Sequence, residues 1–267
     1  PITADLTVVH DPQQWTREFK LEDFDLEKAV QPVPAPDPSI FEVVDAVIAE
    51  FGRDRYVLGP CGFEVGMTML GGMERGLFMY AEQPDIVARA TEYELLRAEA
   101  RDPHYIRPGA PGVLLGEDWG HKTGPLISPA MFRKMVLPAA KRRCQRLQRD
   151  FGLTVLKHCC GNLWKLMDMF LECGYDAYQS IQISAGMDLT RLKQTVGDKI
   201  TLWGGVQVET LMSGTPAQVQ REVEESFRIL SPGGRFIFST SHSVAVGCQY
   251  DNVMAMFDAY HNCVAKA

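Results

Sequence analysis

The 267-residue chain has no apolar run approaching the ~20 residues that a membrane-spanning helix needs. It has no basic run interleaved with aromatics, and its formal net charge is -7. Both argue against a nucleic-acid surface. No Gly-x-Gly-x-x-Gly follows a strand-like run and no Walker A loop is present, which weakens a nucleotide-binding open sheet. The opening Pro1-Ile2-Thr3-Ala4-Asp5 has no basic and apolar signal pattern. It is also not a Met, so the expectation is a start that is processed or missing. A disulfide framework is lacking too. The seven cysteines, at 61, 144, 159, 160, 173, 248 and 263, are odd in number and irregularly spaced. Reduced thiols in a cytoplasmic protein are the better reading.

What is there fits a globular protein with a large core, 46% hydrophobic and 23% charged. Pro32, Pro34, Pro36 and Pro38 make an extended connector, because proline fixes φ. They close an N-terminal extension, residues 1–38, in which Ile2–Val9 reads as one strand. From residue 39 to 267 the chain becomes rhythmic. Strands are expected at Arg55–Gly59, Pro111–Gly116, Leu153–His158, Ala177–Ile181, Ile200–Trp203 and Arg235–Ser239. Helices are expected between them, including Ser39–Phe51, with Phe41, Val44, Val47 and Ile48 on one face, and a long one over Ala130–Asp150. Strand, loop and helix alternate about six times, which means a parallel sheet with covering helices. His, Cys, Asp, Trp and Gln stand at successive strand ends. A (β/α)8 TIM barrel with its site on the top face explains that distribution better than an open sheet. Six strands for eight places is a deficit, and the barrel is expected to be incomplete at its N-terminus.

The stretch Lys157-His158-Cys159-Cys160-Gly161-Asn162 sits at one of these strand ends. Alternate side chains on a strand share a face, so His158 and Cys160 point together and Cys159 points away. An imidazole beside a thiolate suits Zn²⁺, with a buried His beside a structural Cys as the competing explanation. A third ligand can come from His242, nearer its strand end, or from Cys248, six residues on. Glu117 and Asp118 end another strand as a general acid or base, a ligand or a substrate anchor, or as loop acids. Trp119 and Trp203 are candidates for an apolar wall, or for core. Gln179, with Gln182, can orient a polar substrate group, and Gly204 with Gly205 can admit a ligand or simply turn the chain. His121 reads as a loop histidine. Cys61 reads as packing, beside the more interesting Glu64.

The runs Gly116-Glu117-Asp118-Trp119-Gly120, Gly124-Pro125-Leu126-Ile127-Ser128-Pro129 with Phe132-Arg133, Leu202-Trp203-Gly204-Gly205-Val206, and His242 with Asp251-Asn252-Val253 resemble the uroporphyrinogen decarboxylase superfamily, in its order, over about residues 40–260. The resemblance implies a complete TIM barrel with a segment ahead of the part present here. His158-Cys159-Cys160-Gly161 is similar to the His-x-Cys-Gly of the corrinoid-linked zinc methyltransferases, of the O-demethylase and methylcobamide:coenzyme M methyltransferase types. The superfamily's decarboxylases need no metal. The likeness therefore implies zinc on His158 and Cys160. In the coenzyme M enzymes the third ligand is a Cys of the closing loop. Counted back from Asp251-Asn252-Val253, that place falls on His242, which leaves the third ligand as His242, Cys248 or Glu117. The departure also counts against coenzyme M as the substrate. The implied activity moves a methyl group between a small methyl ether or thiol and a corrinoid on a partner protein. Asp118 or Glu117 would orient substrate or move a proton, and Trp119 and Trp203 would wall the site. A homo-oligomer is compatible with this. The alternatives are a metal-free decarboxylase, for which Arg107 and Arg235 are the nearest cations, and a non-catalytic barrel subunit.

Overall fold

The computed structural model describes residues 17–265. The expected strand Ile2–Val9 and His10 lie outside them. Eight strands follow in chain order: β1 (Leu58–Gly59), β2 (Gly112–Gly116), β3 (Gly120–His121), β4 (Gly124–Pro125), β5 (Thr154–His158), β6 (Ala177–Gln179), β7 (Thr201–Val206) and β8 (Phe236–Thr240). Six of them form one parallel sheet in the order β1-β2-β5-β6-β7-β8. β3 and β4 form a separate antiparallel hairpin on the loop after β2. Among the described residues, no helix is long and apolar enough to cross a membrane.

The sheet curls as half of a barrel and does not close. β1 and β8 are both edges among the described residues, so the sheet is an open, six-stranded part of the expected (β/α)8 barrel, short of strands as the count of six in the sequence implied. The reason is geometric. A parallel barrel distributes its tilt and stagger over eight strands, and six leave a gap between first and last. The six parallel strands overlap the six runs expected from the sequence, with β1 trimmed to two residues and β7 carried on to Val206.

The helices sit between strands as the alternation requires, with two departures. The long helix over Ala130–Asp150 is broken at Val136 into Pro129–Met135 and Leu137–Phe151. Pro138 explains this, because it has no N–H to continue the first helix and fits the first turn of the second. The helix Glu42–Phe51 has no buried residue, so of its expected apolar face only Phe41, in the turn before it, is buried. Ahead of the Pro-rich connector, Phe24 packs edge-on against Tyr93, and Arg89 donates to the Phe24 carbonyl. That segment is therefore docked on the helix Pro84–Tyr105.

The main core lies between the sheet and the helices Pro84–Tyr105, Leu137–Phe151 and Met167–Cys173. A smaller one around Val206, Leu211, Val219 and Val223 seats the helices Pro216–Leu230 and Tyr250–Val264. Among the described residues, one ion pair is fully buried. Arg143 grips Asp102 with both terminal nitrogens, at 2.5 and 2.7 Å, and its Nε donates to the Phe63 carbonyl. Asp102 also accepts from the Gly62 amide. The pair ties two helices to the loop after β1. Removing one partner strands a charge in the interior, so Asp102→Ala is expected to lose about 3–5 kcal/mol in urea unfolding. Replacing both residues by apolar ones should cost less than that single change.

Candidate metal centre

Strand register places one row of residues across the sheet, at the C-terminal ends of β2, β5 and β6 and within β7 and β8. Gly116, His158, Gln179, Trp203 and Ile237 are paired in sequence from β2 to β8. In-register residues of parallel strands stand on the same face, so this row looks to the concave side. Cys160 lies two residues beyond His158 and shares its direction. Its Sγ is 3.2 Å from His158 Nε2. Cys159, between them, is fully buried on the opposite face and accepts the Trp119 amide N–H.

His242 reaches the same spot from β8. Two strands lie between β5 and β8, about 14 Å across a flat sheet. The ring centroids of His158 and His242 are nevertheless 5.5 Å apart. The curl of the sheet and the loop after β8 close that distance. Thr240 donates its hydroxyl to the His242 carbonyl, and the Ser241 amide donates to Val206 O at 2.7 Å. Donor atoms of His158, Cys160 and His242 then lie within 4.8 Å of one another. Among the described residues this is the one such group of three.

The surrounding residues are built around that group. Asp118 accepts the Cys160 amide at 2.6 Å and places the same oxygen 3.7 Å from His158 Nε2. Gln182 accepts the Gly161 amide at 3.0 Å. Gly161 has φ of 85°, and a Cβ there would meet the Gly120 backbone carbon at 2.4 Å. Only glycine lets the chain turn so close beneath the β3–β4 hairpin. Ser180 sits 2.9 Å from Cys160 Sγ and donates to Ser241 O at 2.7 Å. A hydroxyl has one proton, which Ser180 gives to Ser241 O, so in the thiol state the Cys160 S–H is the donor, within reach of both Ser180 Oγ and His158 Nε2. Burial pushes the Cys160 thiol up to about 11, the Ser180 contact opposing the rise and Asp118 adding to it. The sulfur is a neutral thiol at pH 7 unless a cation ionises it.

Behind the strand end lies a second polar group, on the side facing the helices. Lys157 is fully buried, paired with Glu64 and set 4.9 Å from the Trp119 ring centre. Burial opposes its charge, but Glu64 and Glu117 outweigh that and raise its pKa. Glu64 also accepts the Gly116 amide. Glu117 accepts from the Met67 amide at 2.5 Å and from Trp119 Nε1 at 3.1 Å. Desolvation raises the Glu117 carboxyl to about 7, with Lys157 pulling the other way and Glu64 adding to the rise.

The residues singled out from the sequence thus separate into groups. His158, Cys160 and His242 meet, with Asp118 at their edge. Gln179 touches His158 directly, and Trp203 stands beside Gln179 on the concave face. Glu117 turns to the Lys157 group. Trp119 is fully buried among Phe132, Phe170 and Tyr175. At Gly204 a Cβ would press on Ile181 at 3.2 Å, so the missing side chain serves packing. Cys248 packs against the smaller core, apart from the three donors. His121 lies in the hairpin beside Thr123. Ser180 was not foreseen, since nothing in the residue string announces a buried serine with φ of 74°. Lys157 did carry a signal: a lysine inside an apolar strand implies a buried acid.

The family model for uroporphyrinogen decarboxylase (URO-D) matches residues 24–263, and the chain belongs to that family. Among curated proteins, it is 22% identical over 190 residues to a uroporphyrinogen decarboxylase of Nitrosospira multiformis, covering 69% of this chain and 49% of the relative. It is 24% identical over 229 residues to the Sodalis glossinidius protein of the same name, covering 80% and 61%. The chain spans about half the length of the curated relatives it matches. A solved methyltransferase from Methanosarcina mazei superposes with a TM-score of 0.61 at 18% identity, covering 89% of this chain and 69% of that one. That likeness shows the fold: a barrel-like α/β architecture.

The raised Glu117 pKa has a stability consequence. Between about 4.5 and about 7 the folded state keeps a proton that the unfolded chain has released. Stability therefore declines as pH rises through that window, by at most about 3 kcal/mol. Glu117→Gln is expected to flatten this decline in urea unfolding measured from pH 5 to 8. An unchanged slope would remove Glu117 as its source.

Proposed function

We propose that this chain carries the centre of a zinc-dependent methyltransferase, moving a methyl group between a small methyl ether or thiol and a corrinoid held by a separate protein. The observation that carries this is the convergence of His158, Cys160 and His242 at one strand-end mouth. Two imidazoles and a thiol are a borderline-soft donor set of the kind zinc takes. Zinc ligands at roughly 2.0–2.3 Å stand about 3.3–3.6 Å from each other in a tetrahedron. The His158–Cys160 separation of 3.2 Å is close to that. Cys160 would bind as thiolate, releasing its S–H proton. His242 is exposed, and three protein ligands on an open face leave a fourth position for substrate. Zinc there would supply Lewis acidity, favouring a substrate thiolate or the departure of an ether oxygen.

The chain's own residues supply the rest. Asp118, 44% exposed, stands beside the donors, where it can orient a polar substrate group or take its proton. Trp203 and Ile237 continue the row along the concave face as an apolar wall.

A metal-free decarboxylase is the second reading, favoured by the names of the curated relatives. It needs cations at the mouth to hold carboxylates. Arg107 instead pairs with Asp45 ahead of β2, and Arg235 precedes β8, both at the opposite ends of their strands.

Metal analysis of the purified full chain tests the proposal. One zinc per chain is expected, lost in the His158→Ala and Cys160→Ala double variant and weakened by at least tenfold in His242→Ala. A chain that binds no zinc, or a double variant with unchanged zinc content, would sink the proposal. Decarboxylation of a porphyrinogen that survives strong chelation would favour the second reading.

A further inference from the structure

We infer that Gln179 is a positioning residue that sets the tautomer of His158 before any metal arrives. The inference deepens the metal-centre reading above, and rests on it for the purpose of the tautomer.

His158 and Gln179 are in-register partners of β5 and β6, so their side chains stand next to each other on the concave face. The Gln179 side-chain oxygen meets His158 Nδ1. Gln179 is 8% exposed. A neutral imidazole carries one N–H and one lone pair, and an amide oxygen can only accept. Nδ1 therefore holds the proton, and the lone pair is left on Nε2, the atom 3.2 Å from Cys160 Sγ, where it can accept the Cys160 S–H. With the opposite tautomer, an N–H would occupy the direction a metal needs.

Asp118 pulls the other way, because its carboxylate near Nε2 would favour a proton there. At 3.7 Å it is beyond hydrogen-bonding reach, and it is exposed while Gln179 is buried. The direct bond decides the tautomer.

The next residue extends the same device. Successive strand residues point to opposite faces. Ser180 nevertheless reaches Cys160 Sγ while Gln179 reaches His158 Nδ1. The left-handed φ of 74° at Ser180 breaks the alternation and turns both side chains toward the ligand pair. Ser180 also donates to Ser241 O, the residue before His242. The end of β6 thus touches the segments that carry all three donors.

The test uses the full chain without metal and reads the His158 tautomer by long-range proton–nitrogen NMR at pH 8. The wild type is expected as the Nδ1–H form. Gln179→Leu removes the acceptor and should shift His158 toward Nε2–H. Gln179→Glu keeps an acceptor and should retain Nδ1–H. Zinc affinity should fall about 10–100-fold in Gln179→Leu and recover in Gln179→Glu. A wild-type Nε2–H form would overturn the inference, as would a Gln179→Leu variant with unchanged tautomer. Because the NMR reading needs no metal, a chain that fails to bind zinc would refute the metal centre while the tautomer still judged Gln179.

Discussion

The in-register pairing of β5 with β6 is the constraint on which the rest of the centre depends. It sets His158 beside Gln179, and through the same ladder Gly116, Trp203 and Ile237 fall in one row. A one-residue slip of β5 would send His158 and Cys160 to the helix side and bring Lys157 and Cys159 to the mouth. Burial of those two residues opposes such a slip. Lys157 has its carboxylates and the Trp119 face behind the strand, and Cys159 has the Trp119 amide. The polar group behind the sheet therefore helps hold the register of the donors in front of it.

Two backbone positions in the left-handed region complete the centre. Gly161 lets the chain turn directly under the hairpin, and Ser180 leaves its strand in a conformation that costs a non-glycine residue of order 1–3 kcal/mol. In that position Ser180 donates to Ser241 O and lies within hydrogen-bond reach of Cys160 Sγ. Strain of this kind clusters where side chains must be aimed, and here it aims two consecutive ones at the same pair of donors.

Much of the fold was legible because it rests on local pattern. The six parallel strands fell on apolar runs bounded by Gly, Pro and Asp, and the turn residues between them were plain. The break at Val136 was missed, although Pro138 announced it, because the apolar period runs on through it. The count of six strands for eight places already pointed to an incomplete barrel, but where the sheet opens was not legible. Whether a sheet closes depends on strands meeting across it, which no stretch of sequence records.

The site divides along the same line. The sequence by itself determined that His158 and Cys160 share a face and that Cys159 does not, since strand alternation is a local rule. It also placed Asp118 and Gln179 at strand ends, hence at one end of a parallel sheet, whereas Trp203, expected at an end, lies within β7. Only the tertiary structure decided between His242 and Cys248 as the residue beside that pair, through the curl that carries the loop after β8 back over β5. It likewise turned Trp119 into the core, Glu117 toward Lys157, and Gln179 onto the imidazole. Contacts between residues tens of positions apart arise from packing and register, and these are properties of the folded sheet that no single segment contains.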